Sequence, residues 1–334
     1  LLRAGVADAG NDHRLGASEA PPAIMSIYLG EYLTQLLDEI EEMGKITEQS
    51  MAQINMGVRN LPRIAKDSSD RNRTSPIAFT GNKFEFRAVG SSQNTSEACT
   101  LLNLLATYGF YMIEKRLAVT SGHDVKARAI MVLKDVFKET KRVRFEGNGY
   151  SEEWHKEAKR RGLPNTRNTP AALQAYLEKD AIELMEKSRV LSEREVRAKV
   201  EIKLETYLKT KEIEYKTAIN IARTAILPAL TKQIAATAGA AAAMKSAGVE
   251  SPVLQKELAK FDRLFNEVKE SKQQLDKVLQ KAEAKKDVHE RATFLGDEGE
   301  KALAKLRFSV DTAEELVANE FWPMAKYQEL LTLL

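Results

Sequence analysis

The chain has 334 residues, of which 43% are apolar and 30% are charged, a composition typical of a folded protein without a long disordered tail. Its 51 basic and 48 acidic side chains are interspersed and leave a formal net charge of +3, which disfavours nucleic acid as a partner because such binding needs a segregated basic face. The single cysteine, Cys99, excludes an internal disulfide, and no apolar run approaches the ~18 to 20 residues of a membrane span. We therefore expect a cytoplasmic protein with no membrane partner.

The length indicates two units, because one core usually holds roughly 100 to 200 residues. Residues 1–125 mix short β-rich stretches, loops and helices, which favours an α+β region. The pattern predicts a strand at residues 2–6, a helix over residues 24–43 and another over residues 96–117. The inward side chains of the last helix should be Leu101, Leu102, Leu105, Tyr108 and Met112. Because the chain opens on a leucine within the first predicted strand, we interpret it as a piece of a longer polypeptide.

Beyond residue 125 the apolar periodicity predicts only helices, and residues 126–334 should form an all-α bundle of long antiparallel helices. Predicted helix starts are Thr169–Pro170, Ser192 with Glu195, and Ser251–Pro252. A long tract ending near Ala247 should be kinked or divided at Pro228. A last helical segment is expected over residues 314–334, broken at Pro323. A packing seam is predicted at Leu254, Leu258, Phe261, Phe265, Val268 and Leu275.

Residues 82–90 show strict two-residue alternation, which places Lys83, Glu85 and Arg87 on one face of a strand and turns Phe84 and Phe86 toward the core. A carboxylate held between two cations stays ionised at neutral pH and can bind a divalent metal. The flanking cations can bind phosphate or carboxylate oxygens. Taken alone, the segment can also be a solvated strand with a ladder of salt bridges.

Two loops carry further candidates. Residues 11–22 place Arg14 and Glu19 on a short glycine-containing loop, where Arg14 can grip a carboxylate and Glu19 can act as a mobile base. The alternative is a helix-entry loop in which Glu19 only complements the helix dipole. Residues 70–76 form a dense basic loop around Arg73, which in isolation is typical of solvated surface charge. Cys99 is expected to be a small buried hydrophobe, and Trp154 and Trp322 are expected to be packing anchors.

Together, in this order and spacing, these three segments resemble the catalytic domain of glutamine synthetase, and in particular its type III branch. Arg14 and Glu19 match the family's Arg-Leu…Glu-Ala-Pro loop, and Arg73 matches its Asn-Arg-Ser/Gly arginine. Glu85 and Arg87 match its Arg-x-Glu-x-Arg strand. The helical remainder is similar to the C-terminal extension of that branch, so the resemblance covers essentially the whole chain. It implies that residues 1–125 are the C-terminal portion of the catalytic domain, an antiparallel sheet with helices, and that residues 126–334 are the extension.

The resemblance implies ATP-dependent ligation of glutamate and ammonia through a γ-glutamyl phosphate, with Mg²⁺ or Mn²⁺ as the metal. Arg14 and Arg87 would hold substrate carboxylate oxygens and the transferring phosphoryl group. Arg73 and Lys83 would neutralise nucleotide phosphates. Glu85 would ligate the metal. Glu19 would close over the acyl phosphate, exclude water and accept a proton from ammonium.

Two positions depart from the family pattern. Ala78 stands where the family has a second arginine after the one that matches Arg73, and Lys83 replaces an arginine whose planar fork it lacks. The family's other metal ligands, its nucleotide-binding half and its N-terminal domain would precede Leu1. We therefore expect the chain to be inactive alone and the full-length protein to form a homo-oligomeric ring.

Two other classes of function, a different enzyme and a module without chemistry, stay open at this stage. A similar phosphate clamp would serve a γ-glutamyl ligase for another amine or a guanidino kinase. Residues 125–334 can instead be an assembly or regulatory module without chemistry, because long helices with leucine seams and alternating charges suit interfaces.

Overall fold

A computed structural model of the chain describes residues 1–15, 23–43, 53–54, 64–65, 74–88, 90, 93–122 and 124–332. The chain divides into two compact units, Leu1–Ala198 and Lys199–Leu334. This division lies well after residue 125, where the composition predicts a boundary. The predicted boundary concerns the family's domain organisation and stays a prediction. No helix in the described residues is both long and apolar enough to cross a membrane.

The first unit begins with a short helix, α1 (Leu2–Gly5), so the predicted strand at residues 2–6 is wrong. Leucine, arginine and alanine are good helix formers, and the Arg3 side chain anchors the turn. Its Nε donates to the Thr166 carbonyl at 3.0 Å and its Nη2 to the Arg167 carbonyl at 3.1 Å. A Cβ at Gly5 would overlap the Leu101 side chain, so the glycine permits this close approach.

The first unit contains a small mixed sheet. Its strands are β1 (Ile27–Tyr28), β4 (Ile77–Phe79) and β5 (Phe84–Phe86), in the order β1-β4-β5. β1 pairs with β4 in parallel, and β4 pairs with β5 antiparallel, so the expected purely antiparallel sheet is wrong. Two further strands, β2 (Gln53–Ile54) and β3 (Ile64–Ala65), pair antiparallel with each other.

The helix predicted over residues 24–43 is shorter in the structure, where α2 covers Gly30–Met43. Its start is displaced because Ile27 and Tyr28 pair with β4 and because Gly30 has φ of 80°, a conformation that favours glycine. The Glu146 carboxylate then caps the helix. It accepts hydrogen bonds from the backbone N–H groups of Leu29 at 3.1 Å and Gly30 at 2.9 Å, and from Thr34 Oγ1 at 2.8 Å.

The predicted helix at residues 96–117 is confirmed as α3 (Ser96–Val119), but part of its inward face is wrong. Leu101 and Leu104 are buried, whereas Tyr108 is 45% exposed and Cys99 is also exposed. The reason is that Tyr108 faces an open groove of about 560 Å³ between α3 and a later helix, α7 (Lys179–Lys187), rather than packed side chains.

Three more helices complete the first unit: α4 (Val125–Thr140), which packs against α2, α5 (Glu152–Arg160) and α6 (Thr169–Leu173). Trp154 is 1% exposed and stacks on Phe145 with ring centroids 3.8 Å apart, as expected of a packing anchor. The cap of α6 is one residue earlier than predicted. The side chain of Asn168, not that of Thr169, accepts the hydrogen bond from the Ala171 N–H, at 3.0 Å.

The capping box at Ser192 is confirmed. Glu195 Oε2 accepts hydrogen bonds from the Ser192 N–H at 2.8 Å and from its hydroxyl at 2.7 Å, at the start of α8 (Glu193–Ile221). The division between the two units falls within this helix. A π-helical turn over Ala222–Ile226 follows, and then α9 (Leu227–Ser246). Pro228 thus divides the tract as predicted, because it has no N–H to donate to the carbonyl four residues earlier.

The second unit is built around α10 (Pro252–Glu283), whose start is capped by Ser251 as predicted. Phe261, Val268 and Leu275 of the predicted seam are buried. α10 packs against α9 and against α12 (Glu300–Leu316), which follows α11 (Val288–Phe294) and a π-helical turn over Leu295–Gly299. The last helical segment, expected over residues 314–334 with a break at Pro323, is confirmed only in part. α12 ends at Leu316, residues 317–326 around Pro323 are not helical, and the next helix, α13, covers Tyr327–Thr332.

Candidate functional site

Lys83, Glu85 and Arg87 lie together as predicted, but β5 covers only Phe84–Phe86, so that Lys83 and Arg87 flank the strand. Lys83 Nζ lies 3.3 Å from Glu85 Oε1, and Arg87 Nη2 lies 3.5 Å from Glu85 Oε2. The side chains of Lys83, Glu85 and Arg87 are 64%, 38% and 20% exposed, so this group, here called the strand triad, is accessible to a ligand. The bonds between its members are long, as is typical of adaptable surface pairs.

Phe84 was expected to face the core, and this is wrong, because it is 58% exposed. β5 is at the edge of this three-stranded sheet, and the Phe84 ring contacts that of Phe79 on β4, at 5.3 Å between ring centroids. Ala78 lies directly opposite Glu85 in the register and is fully buried. The buried position in the central strand suits a small side chain, which is a physical reason for alanine where the family pattern has arginine.

The strand triad keeps Glu85 ionised. The Lys83 ammonium, and then the Arg87 guanidinium, hold the pKa of the Glu85 carboxyl below its usual range. At neutral pH the carboxylate therefore bears a full negative charge with one cation on each side. A metal ion can therefore replace Lys83 or Arg87 beside the carboxylate, or the two side chains can together bind an anion.

A divalent metal fits this group only in part. Among the described residues no cluster of three or more His, Cys, Asp or Glu side chains is arranged for a metal. Magnesium, however, needs only one or two protein carboxylates when phosphates and water supply its remaining ligands. Glu85 can supply one of these carboxylates, because the mostly exposed Lys83 side chain can move away and leave Glu85 Oε1 to a metal ion.

The segment that carries Arg14 is anchored by its neighbours. Asn11 is buried and its Nδ2 donates to the Val6 carbonyl at 2.8 Å. Asp12 accepts from the Thr169 N–H at 3.0 Å and from its hydroxyl at 2.8 Å, and Arg3 Nη2 lies 3.4 Å from Asp12. These contacts tie the loop to the start of α6. The anchoring roles of Arg3 and Asp12 were not predicted from the sequence, because the partner of Asp12, Thr169, is 157 residues away along the chain.

The remaining predicted site residues are not brought together by these contacts. Arg14 is exposed, and within the part of the chain that the structure describes no ion pair joins it to Glu85. Glu19 and Arg73 lie outside the described residues. Thr74, which follows Arg73, is held by a hydrogen bond from the Gly149 N–H to its Oγ1 at 2.9 Å. A Cβ at Gly149 would overlap the Thr74 carbonyl, so this turn requires glycine.

The chain is similar to known glutamine synthetases over almost its whole length. Residues 128–245 match the family model described as the glutamine synthetase C-terminal domain. Over its whole length the chain is 36% identical to type-3 glutamine synthetase of Dictyostelium discoideum. Over 99% of its length it is 35% identical to glutamine synthetase of Bacteroides fragilis and 32% identical to that of Butyrivibrio fibrisolvens. The chain covers 46 to 47% of these relatives and so spans about half their length. The resemblance to type III glutamine synthetases is thereby confirmed.

Proposed function

Because this chain resembles the C-terminal part of type III glutamine synthetases, we propose that it contributes to the ATP-dependent ligation of glutamate and ammonia, through a γ-glutamyl phosphate. The chain spans about half of its relatives, and the activity would require the part that they have in addition. The proposal includes a cytoplasmic location and assembly into a homo-oligomeric ring. A γ-glutamyl ligase for another amine uses the same residues and is the alternative.

The strand triad is the observation that carries this proposal. It combines an ionised carboxylate with two cations on an accessible edge strand, and it lies in the segment that matches the family motif. Phosphoryl transfer needs little covalent chemistry from the protein, since most of the catalysis consists of placing charges around the phosphate oxygens. The three side chains supply the two kinds of charge that this requires.

Each of the six candidate site residues then has a proposed role. Lys83 and Arg73 neutralise nucleotide phosphates, while Arg87 and Arg14 hold oxygens of the substrate carboxylate and of the transferring phosphoryl group. Glu85 holds Mg²⁺ or Mn²⁺, which supplies charge neutralisation at phosphate oxygens when it is bound. Glu19 closes over the acyl phosphate, excludes water and accepts a proton from ammonium.

The test uses the polypeptide that contains this chain at the full length of its relatives, with glutamine formation from ATP, glutamate and ammonia as the measurement. We expect Glu85→Ala to lower kcat/KM on the order of 100-fold, because removal of one preorganised charge from such a site has effects of that size. The matched control is Glu139→Ala, which removes an exposed carboxylate paired with Arg116 at 2.7 Å. Equal turnover in the wild type and in Glu85→Ala would overturn the proposal.

The proposal that this chain is inactive alone is tested separately. We expect the purified 334-residue chain to form no glutamine under the same conditions, since it spans about half of its relatives. Glutamine formation by this chain alone would contradict that expectation, and it would leave the role of the strand triad to be decided by Glu85→Ala.

A second function is proposed for the helices of residues 126–334, namely assembly of the ring through a bundle of long antiparallel helices. What favours it is the apolar surface that these helices leave exposed. Ile202 and Ile213 of α8 are 64% and 66% exposed, and Phe308 of α12 is 75% exposed. Replacing Ile213 and Phe308 by serine in the full-length protein should shift the mass measured by light scattering toward smaller species. An unchanged mass would mean that the exposed apolar residues of α8 and α12 do not support a role in assembly.

A further inference from the structure

A charged groove of about 340 Å³ lies in the first unit, apart from the strand triad. Its lining, here called the basic groove, consists of Thr34, Asp38, Lys141, Arg142, Arg144, Glu146, Glu157, Arg160 and Arg161. We propose that the basic groove binds a small phosphate-bearing anion, a site separate from the proposed catalytic function.

The charges of the basic groove favour an anion. Five cations and three carboxylates line it, an excess of two positive charges, and Glu41 next to Lys141 reduces this excess to one. All three lining carboxylates already have donors. Asp38 accepts from Lys141 Nζ at 3.3 Å, Glu146 binds the N–H groups at the start of α2, and Glu157 accepts from Arg160 at 2.7 and 2.8 Å and from Arg161 at 2.6 Å. The oxygens of these three groups are therefore engaged before a ligand arrives.

Arg144 is the central residue of the basic groove. Its side chain is only 9% exposed, and its Nη2 donates to Glu41 at 3.0 Å and to the Phe137 carbonyl at 3.1 Å. Its Nε and Nη1 are buried and have no hydrogen-bond partner among the residues that the structure describes, and Nη1 lies 3.6 Å from Asp38 Oδ1. Buried guanidinium donors are normally satisfied, so an acceptor that entered the groove beside Arg144 would supply the partners that these two donors lack.

The backbone around Arg144 is held rigidly. Arg161 Nη1 donates to the carbonyl of Arg144 at 2.7 Å and to that of Arg142 at 3.4 Å. The next N–H along the chain, that of Phe145, donates to the Ile27 carbonyl at 3.0 Å, beside the sheet. Arg142 itself is exposed and has no ion pair within the described ranges. The groove thus presents one fixed guanidinium and one that is free to close over a ligand.

The chemistry of these side chains selects the ligand. A guanidinium fork matches two oxygens of a phosphate, and arginine is favoured wherever such two-point contacts are made. The volume is at the lower end of the range of small-molecule pockets, which suits a single phosphate group with a small substituent. Inorganic phosphate is the simplest probe of this chemistry.

The experiment measures phosphate binding to the 334-residue chain by titration calorimetry. We expect saturable binding that is weakened about tenfold by Arg142→Gln and by Arg144→Lys, because each loses a charge-assisted contact. The matched control is Lys138→Gln, which removes one exposed positive charge from the end of α4 and does not line the groove. Arg142 is exposed, so its variant should stay folded and decides the outcome even if Arg144→Lys does not fold.

Other outcomes would overturn the proposal. The absence of saturable binding, or an equal loss of affinity in Lys138→Gln, would show only non-specific attraction to positive charge. Binding that is lost in Lys83→Gln but intact in Arg142→Gln would assign the phosphate to the strand triad. Because this last comparison concerns a different set of residues, failure of the basic groove leaves the proposed catalytic function untouched.

Discussion

Two lysine–glutamate groups in this molecule have similar chemistry and opposite surroundings. In the strand triad, Lys83 is 64% exposed and lies 3.3 Å from Glu85. In the second unit, Lys211 of α8 is 3% exposed and its Nζ lies 2.7 Å from Glu300 and 3.0 Å from Glu214, here called the buried lysine group. An exposed pair contributes little to stability and can rearrange around a ligand, whereas a buried one is costly to disrupt. Burial, not residue type, separates a candidate binding group from a structural one.

The surroundings of the buried lysine group explain its rigidity. The hydroxyl of Tyr215 is fully buried and lies 3.0 Å from both Glu300 Oε1 and the Leu295 carbonyl. Burial, and then the charge of Glu300, raise the pKa of Tyr215 far above its usual value. A Cβ at Gly299 would overlap the Tyr215 ring, so the π-helical turn before α12 needs glycine there. The polar contacts and the turn geometry therefore fix α8 against α12 in one arrangement.

The largest effect on stability is expected from Lys211→Met. Removing the cation leaves the carboxylates of Glu300 and Glu214 without their partner, which should lower the free energy of unfolding by about 2 to 3 kcal/mol. The loss should lie below that for a fully dry pair, because the Glu300 side chain is 29% exposed and can hydrate. Urea unfolding followed by circular dichroism measures it.

The matched control is Lys216→Met on the same helix. Lys216 pairs with Glu283 at 3.2 Å with both side chains about half exposed, so we expect a loss of less than about 0.5 kcal/mol. Equal losses in the two variants would mean that burial does not distinguish the two kinds of pair.

The pH dependence of this difference sharpens the comparison. Burial opposes the charged form of Lys211, but Glu300 and then Glu214 outweigh it and raise the pKa of Lys211 above its usual value. A raised pKa means that its contribution is fully present below the unfolded value of ~10.4 and is lost as pH rises through the folded pKa. The difference in unfolding free energy between wild type and Lys211→Met should therefore be constant from about pH 6 to 9, on the order of the value at neutral pH, and decline only above ~10. A decline already between about pH 7 and 9 would show that burial lowers the pKa of Lys211 by more than the two carboxylates raise it.

The smallest effect is expected in the strand triad. Glu85→Gln removes a charge from a solvent-accessible group whose ion pairs are long, so the melting temperature should change by ~1 °C or less. Differential scanning calorimetry of the 334-residue chain is the measurement. A large drop in melting temperature would indicate that the strand triad is structural, and it would weaken its proposed role in ligand binding.

Several elements were predictable because their signals are local. The capping box of Ser192 with Glu195, the cap at Ser251 and the division of the helical tract near Pro228 depend on neighbouring residues alone. The alternation at residues 83–87 likewise places three charges on one face through the spacing of adjacent residues. Predictions were wrong where the local structure depends on residues that are distant in the sequence. The strand at Ile27 and Tyr28 exists because β4, whose paired residues are Ile77 and Ala78, lies alongside it.

The sequence by itself determined the helical character of the C-terminal part, the helix starts and the charged motif that led to the family, since each follows from side chains within a few residues of one another. Tertiary structure alone decided which charges are buried. Helical spacing places Lys211, but not Lys216, on the face of α8 that carries Leu208 and Tyr215. Only the tertiary structure shows that Lys211 is 3% exposed and paired with Glu300 of α12, whereas Lys216 is 57% exposed. It likewise placed Arg144 in the basic groove, where α2 and α5 converge on it from distant parts of the chain.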